Sequence, residues 1–140
     1  MYKNKNKKGF TLVELLVVVA IIGLLSGMVV ISIKNVKAKA RDSQRVSDMN
    51  TIVTALNMYH NDNNAYPITV EEGIYITGSD TLSVALKNNG AIPTMPTDPT
   101  NTGDYRYYYQ STDGEDFYLQ YYLETNSMSG KGQGLNYVVP

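Results

Sequence analysis

The chain has 140 residues and a formal net charge of −1, and it contains no cysteine. This length suits one modest domain plus an anchor, and the lack of cysteine excludes disulfides and cysteine-based zinc sites. The charge is uneven: four lysines occupy the first nine residues, whereas residues 46–140 hold three basic and eleven acidic side chains, a net −8. So acidic a segment argues against general nucleic-acid binding through phosphates.

The first predicted element is a membrane-spanning helix over residues 10–33. Within it, residues 15–33 form a run of 19 residues interrupted only by alanine, glycine and serine. At 1.5 Å per residue the run spans about 28 Å, close to the thickness of a bilayer's hydrocarbon core. The lysines before it keep the N-terminus in the cytoplasm, so the rest of the chain crosses the membrane. Glu14 stands at the start of the run, where an unpaired carboxylate costs roughly 2.5–3.5 kcal/mol, and we expect it to have a partner.

A cleavable secretory signal is the main competing interpretation. Residues 38–40, Ala-Lys-Ala, match its small-x-small cleavage pattern, and cutting there releases a secreted protein after Ala40. However, the apolar region of such a signal normally covers only about 7–15 residues. Apolar residues also continue at helical spacing beyond Ala40, at Val46, Met49, Ile52, Val53, Leu56 and Tyr59. The pattern therefore predicts one helix of about 50 residues, whose amphipathic half covers about residues 34–62.

Basic residues separate the apolar run from the amphipathic stripe, at Lys34, Lys37, Lys39, Arg41 and Arg45. They are interpreted as a solvated helix face or as a collar in the lipid headgroups, and the two interpretations are compatible. The helix is expected to end in the Asn- and Asp-rich stretch before Pro67. Asn and Asp favour caps and turns, and proline restricts the residue before it.

The remaining chain is predicted to form a small β-rich head. Residues 81–90 indicate a short helix or turn that ends at Gly90, and the proline-rich residues 92–103 indicate a rigid loop. A β-hairpin is predicted over about residues 105–123, with its turn at Asp113-Gly114. Residues 135–139 form a possible short strand.

The second strand of the hairpin alternates apolar and polar positions. Its apolar face is expected to pack on the helical stripe and comprises Phe117, Leu119, Tyr121 and Leu123. The predicted fold class is therefore α+β, a long N-terminal helix packed on a small antiparallel β-sheet head.

The head shows no pattern typical of catalysis, and we expect neither an enzyme nor a cofactor. The only histidine, His60, is interpreted as a surface or core residue. Calcium is the one candidate ligand, although the spacing of the acidic residues does not match an EF-hand loop; the candidates are Asp98, Asp104, Asp113 and Asp116. The hairpin tyrosines are interpreted as strand formers, with a stacking platform for single-stranded nucleic acid or glycans as the alternative; they are Tyr105, Tyr107, Tyr108, Tyr109, Tyr118, Tyr121 and Tyr122.

The first thirty residues resemble the class III signal of type IV pilins and type II secretion pseudopilins. A basic leader ends at Gly9 and is followed by "FTLVELLVVVAIIGLL". Next, "RDSQRVSDMNTIVTALNMYHNDNNAYP" is similar to the helix-to-Tyr-Pro passage of the major pseudopilin group, and "IPTMPTDPTNTGDYRYYY" is similar to its Pro-Asp-Pro loop. The resemblance implies a pilin-like fold, a cleaved leader over residues 1–9, methylation of the new Phe10 amine by prepilin peptidase, and Glu14 as the assembly glutamate.

Two positions depart from this family. Ile31 stands where members usually carry a helix-bending proline. Gly23 and Ser26-Gly27 are therefore the positions at which this segment is expected to bend most easily. The tail "SGKGQG" resembles the calcium loop of the major pseudopilin in position but lacks its aspartates. The resemblance therefore does not extend to a metal site.

The resemblance implies a structural subunit of a type IV pilus-like or type II secretion filament. Its implied partners are further subunits, prepilin peptidase, an inner-membrane assembly platform and the lipid bilayer. It implies a bacterial inner-membrane location with residues 34–140 outside the cytoplasm, and then a periplasmic or cell-surface filament. The alternative function is a single-span, membrane-tethered binding module with a Tyr-rich β head.

Overall fold

The computed structural model describes residues 9–140, except for the side chains of residues 28–32. Residues 1–8 of the predicted leader and these side chains of the predicted membrane span lie outside the described residues. The chain divides into two compact units, Met1–Lys37 and Ala38–Pro140.

Helix α1 covers Leu12–Asn63, 52 residues, and is continuous through residues 38–40. This confirms the prediction of a single long helix. It ends where Asn64 adopts a left-handed conformation (φ 55°) and donates its backbone N–H to the His60 carbonyl at 2.8 Å. Asn tolerates this conformation better than most residues, which explains why the Asn- and Asp-rich stretch ends the helix.

Over the residues that are described, no helix has both the length and the apolar character needed to cross a membrane.

Helix α2 covers Thr81–Asn89, as predicted for a short helix. Asp80 caps its start by accepting the backbone N–H of Ser83 at 2.9 Å. Gly90 ends it with φ 81° and donates its N–H to the carbonyls of Leu86 and Lys87. Glycine carries no steric penalty in this left-handed conformation, so residue 90 is a favourable stop.

Four antiparallel strands form one sheet in the order β1-β2-β3-β4. Their bounds are Ile74–Tyr75 for β1, Tyr108–Gln110 for β2, Tyr118–Leu123 for β3 and Gly134–Val138 for β4. Strand β4 confirms the possible strand at the C-terminus, and β1 is an addition to the predicted elements. The fold is α+β, with a long N-terminal helix and a small antiparallel sheet.

The predicted hairpin is formed by β2 and β3, but its first strand is shorter and its connection longer than expected. Tyr105 donates its N–H to the Thr102 carbonyl at 3.0 Å in a local turn instead of entering the sheet. The connection covers residues 111–117, which include the predicted turn at Asp113-Gly114. Gly114 has φ 79° within it, and its carbonyl accepts the Tyr66 N–H at 2.8 Å. The hairpin loop is therefore shaped by pairing with the chain after α1.

The core lies where the amphipathic half of α1 meets the inner face of the sheet. Met49, Ile52, Ala55 and Leu56 of α1 are buried in one cluster with residues of the sheet and of the segments beside it. The expected face of the hairpin belongs to this cluster, with Phe117, Leu119, Tyr121 and Leu123 all at most 3% exposed. This confirms the predicted contact between the helical stripe and the hairpin.

Candidate functional site

Helix α1 begins with a reciprocal hydrogen-bonded pair formed by Thr11 and Glu14. The Thr11 backbone N–H and hydroxyl donate to Glu14 Oε2 at 2.8 and 2.7 Å, and the Glu14 N–H donates to Thr11 Oγ1 at 3.2 Å. This is a capping box, which satisfies backbone donors that have no partner within the helix. A carboxylate in the first turn also interacts favourably with the helix dipole. Glu14 therefore has a partner within its own chain.

Gly9 and Phe10, the predicted cleavage residues, directly precede this cap and are exposed, with Phe10 75% exposed. The following turns of α1 expose a nearly uninterrupted apolar surface, made by Leu12, Val13, Leu15, Leu16, Val17, Val18, Val19, Ile21, Ile22, Leu24 and Leu25. Glu14 is the only charged residue in this stretch. Contiguous exposed apolar surface of this extent marks a contact site for protein or membrane.

The head unit holds a buried ion-pair network centred on Arg45. Its guanidinium donates to Asp98 Oδ2 at 2.7 Å, to Asp42 Oδ1 at 2.9 Å and to Glu124 Oε1 at 2.7 Å. Arg45 and both aspartates have fully buried side chains. Thr100 also accepts a hydrogen bond from Arg45 at 3.0 Å. One side chain of α1 thus joins the proline-rich loop to the end of β3.

Asp42 and Arg41 complete this network from the same helix. Asp42 accepts the backbone N–H groups of Glu124 and Thr125 at 2.9 and 2.8 Å, so it fixes the chain as it leaves β3. Arg41 Nε donates to Glu124 Oε1 at 2.7 Å. The hydrogen bond from Arg41, joined by that from Arg45, outweighs partial burial and lowers the pKa of Glu124 to about 2. Burial disfavours the charged form of Arg45, but its bonds to Asp98 and Glu124 outweigh this and raise its pKa.

The sequence interpretation of Arg45 as a solvated or headgroup residue is wrong, because its side chain is completely buried. Lys34, Lys37 and Lys39 are exposed, as that interpretation expects. Two of the three carboxylate partners of Arg45, Asp98 and Glu124, lie 53 and 79 positions away, so local spacing gave no sign of them. The only available signal was the break in the basic pattern by Asp42.

The four calcium candidates are not brought together. Asp98 is bound to the Arg45 guanidinium, which occupies the oxygen atoms that a metal ion needs. Asp104 borders a cleft on the face of the sheet that points away from the core. Asp113 and Asp116 belong to the hairpin loop. Within residues 9–140, no group of three or more His, Asp or Glu side chains is arranged to hold a metal ion.

The tyrosines divide into two groups. Tyr107, Tyr109 and Tyr121 are fully buried in the core, and Tyr109 and Tyr121 lie in β2 and β3. The Tyr107 hydroxyl donates to Asp48 Oδ2 at 2.7 Å, and burial together with this acceptor raises the pKa of Tyr107. His60 packs against Tyr66 with ring centroids 4.5 Å apart, a structural contact. The remaining hairpin tyrosines are only partly buried: Tyr105, Tyr108, Tyr118 and Tyr122.

Two protein-family models match the chain. The prokaryotic N-terminal methylation motif matches residues 4–30, which include Gly9, Phe10, Thr11 and Glu14. The model for type II secretion system (T2SS), protein G, matches residues 32–139, which include the whole head.

Curated relatives agree with these matches. The type II secretion system core protein G of Vibrio cholerae serotype O1 is 36% identical over 110 residues, 76% of this chain and 74% of the relative. Those of Aeromonas hydrophila and Escherichia coli K12 are each 36% identical, over 69% and 71% of this chain and 70% of each relative. No solved structure matches the chain significantly. The sequence therefore carries the prokaryotic N-terminal methylation motif and belongs to the type II secretion system protein G family, the major pseudopilins.

Proposed function

We propose that this chain is a structural subunit of a type II secretion pseudopilus and that it polymerises through the first half of α1. The observation that carries this proposal is the exposed apolar surface between Phe10 and Leu25, whose only charged residue is Glu14. Such a surface is unfavourable in water and needs either lipid or other apolar helices around it. Identical copies of the same helix supply that environment in a filament. The role is structural and requires no catalytic group.

Before assembly, the proposed location of residues 10–33 is the bacterial inner membrane, with residues 34–140 outside the cytoplasm. Support comes from the 19-residue apolar run in residues 15–33 and from the lysines before it. The apolar surface then moves from lipid into the filament, so it stays out of water throughout. The filament is proposed to be periplasmic or to reach the cell surface.

Processing is proposed to occur between Gly9 and Phe10, by a prepilin peptidase that also methylates the Phe10 amine. The methylation-motif match across residues 4–30 supports this step. The exposed position of both residues next to the helix start leaves the peptide bond accessible to an enzyme. Further proposed partners are an inner-membrane assembly platform and minor subunits of the same filament.

Cleavage gives Glu14 a second possible partner. The new Phe10 amine is a cation at neutral pH, and monomethylation retains its charge. When helices stack with a stagger, Glu14 of an incoming subunit meets the Phe10 amine of the previous one, and each charge neutralises the other. Low dielectric strengthens this attraction, although burial also carries a desolvation cost. The pair therefore selects the stagger between neighbouring subunits, because only one stagger brings the Glu14 carboxylate next to the Phe10 amine.

The mature N-terminus tests this proposal. We expect mass spectrometry of the protein expressed with a prepilin peptidase to find a chain that begins at methylated Phe10. A Gly9→Leu variant should stay uncut, because a large side chain blocks the approach to the scissile bond. The matched control is Ala40→Leu, which should be cut normally at Phe10.

A mature chain that begins at Arg41 would instead identify a cleaved secretory signal. An uncut, functional chain would favour the membrane-tethered binding module. The choice of a secretion pseudopilus over a pilus is supported by the relatives, which are named as type II secretion core proteins. Neighbouring genes for a secretin and secreted hydrolases would agree with this choice, whereas neighbouring genes for retraction motors would contradict it.

A further inference from the structure

The outer face of the sheet, opposite the core, presents a row of polar and aromatic side chains. The strand register places Tyr75 beside Tyr108, Tyr108 beside Gln120, and Gln120 beside Tyr137. Tyr122 lies beside Leu135 in the next row of the same face. None of these side chains is needed to fill the core cluster. The surface is therefore a second, independent feature of the head.

A cleft of about 400 Å³ opens on this face. It is lined by Tyr75, Gly103, Asp104, Arg106, Tyr108, Gln120, Tyr122 and Leu135. Its volume falls within the range of about 300–1,000 Å³ that is typical of small-molecule sites. Its lining combines three tyrosine rings with the polar side chains of Asp104, Arg106 and Gln120.

The walls of the cleft are held by contacts within the head. The Arg106 guanidinium lies 4.1 Å from the centre of the Tyr75 ring, and its Nε donates to the Gly103 carbonyl at 3.1 Å. Tyr75 and Tyr108 meet edge to face with centroids 5.7 Å apart. The Tyr108 hydroxyl donates to the Glu72 carbonyl. These contacts already hold the side chains in place. Binding of a ligand therefore costs less side-chain entropy.

We propose that this cleft binds a short neutral oligosaccharide. A sugar ring has a flat apolar C–H face and a rim of hydroxyls that both donate and accept hydrogen bonds. The tyrosine rings match the apolar face, although Arg106 covers one face of Tyr75. Gln120, Asp104 and Arg106 supply planar acceptors and donors at the rim.

Charge favours a neutral ligand over a nucleic acid. Arg106 and Asp104 balance each other in the lining, and residues 46–140 carry a net −8. Phosphate groups are repelled by such a surface, and the stacking of bases on tyrosine would have to overcome that repulsion. A neutral sugar chain encounters no such barrier.

The test is isothermal titration calorimetry of the full-length chain in detergent micelles. Chitotetraose and cellotetraose are titrated in separate experiments. The first probe represents an N-acetylated cell-wall glycan and the second an unmodified polysaccharide. We expect saturable binding of at least one of them, and the tighter one identifies the source. A single-stranded oligonucleotide should bind more weakly than the better sugar.

Variants locate the site. Tyr75→Ala removes a stacking wall and should weaken binding at least about tenfold, whereas Tyr75→Phe, which keeps the ring, should stay within about threefold. Tyr137→Ala is the matched control, because Tyr137 is 61% exposed on the same face but does not line the cleft. Its affinity should equal that of the unaltered protein.

Chemical shifts of the isotope-labelled, unaltered protein give a readout that does not depend on any variant folding. The residues lining the cleft should shift on addition of sugar. No saturable binding of either sugar, shifts confined to other residues, equal loss in Tyr75→Ala and Tyr137→Ala, or tighter binding of the oligonucleotide would each overturn the proposal. The outcome does not depend on filament assembly, because the titration uses unassembled protein.

Discussion

The two halves of helix α1 differ in where charge and apolar surface lie. Its first part, residues 12–33, exposes Leu15, Leu16 and their apolar neighbours, and the only charged residue of this part, Glu14, is bound to Thr11. Its second half buries Ile52 and Leu56 in the core, and it also buries Arg45, whose charge is balanced by carboxylates. The apolar side chains and the buried charge of the second half therefore find their partners within the chain. The apolar side chains of residues 12–25 stay exposed, and in the proposed function lipid or other copies of the chain cover them.

The largest effect on the head is expected from Arg45→Ala. This change leaves Asp42 and Asp98 buried without their cation, which typically costs about 3–5 kcal/mol. Denaturant unfolding of the full-length chain in detergent, followed by circular dichroism, measures the loss. Arg41→Ala is the matched control: its side chain is 36% exposed, so we expect a loss of about 1 kcal/mol or less. Equal losses in the two variants would contradict the central position of Arg45.

Leu56→Ala should destabilise the head by about 2–5 kcal/mol, because Leu56 is fully buried between helix and sheet. Met58→Ala lies on the same helix but changes a side chain that is 49% exposed, and should cost about 0.5 kcal/mol or less. The same unfolding measurement compares them. An unchanged unfolding free energy in Leu56→Ala would show that the apolar stripe does not carry the core.

Local sequence patterns predicted the elements whose causes are local. The end of α1, the stop of α2 at Gly90 and the alternation from Phe117 to Leu123 follow from capping, glycine conformation and strand periodicity. Strand β1 was missed because two residues, Ile74–Tyr75, carry no periodic signal, and they pair only because β2 lies beside them.

The parts that sequence did not reveal depend on contacts between distant residues. Arg45 stands among lysines and arginines of a solvated pattern, yet its partner Asp98 lies in the proline-rich loop. The hairpin connection is longer than its Asp-Gly pair suggests, because residues 111–117 pair with the chain that follows α1: Ser111 accepts the Thr69 N–H at 2.8 Å. At the helix start, the sequence identified Glu14, but its capping partner Thr11 was recognised only in the structure.

Acid should weaken the head through Glu124. Its pKa is about 2 in the folded chain, against an ordinary value of 4.5, so its charged form stabilises the fold above pH 4.5. That stability is lost as the pH falls from about 4.5 towards 2. In Glu124→Gln this part of the pH dependence should disappear. The free energy of unfolding should then change by about 1–2 kcal/mol less between pH 4.5 and pH 2, after allowance for solvent screening. Unfolding at a series of pH values checks it, and identical profiles for both proteins would contradict the ion pair.

The smallest expected effect is at the start of α2. Asp80→Ala removes the carboxylate that accepts the Ser83 N–H and should cost about 1 kcal/mol. Asp80→Asn retains an acceptor and should lose only a few tenths of a kcal/mol. Because the change lies in the head, filament formation should be retained in both variants, which electron microscopy of reconstituted filaments can check. If either variant failed to assemble, the claim that filament formation does not depend on this contact in the head would be contradicted.

Filament formation by Glu14→Leu compared with Thr11→Val tests the central claim most directly. Both variants weaken the capping box, but only Glu14→Leu removes the carboxylate that is proposed to meet the Phe10 amine of the neighbouring subunit. The account predicts that Glu14→Leu gives a cleaved, stable, membrane-resident subunit without filaments, whereas Thr11→Val still assembles. Abundant filaments of normal rise from Glu14→Leu would contradict the pairing and leave Glu14 with no role beyond capping its own helix.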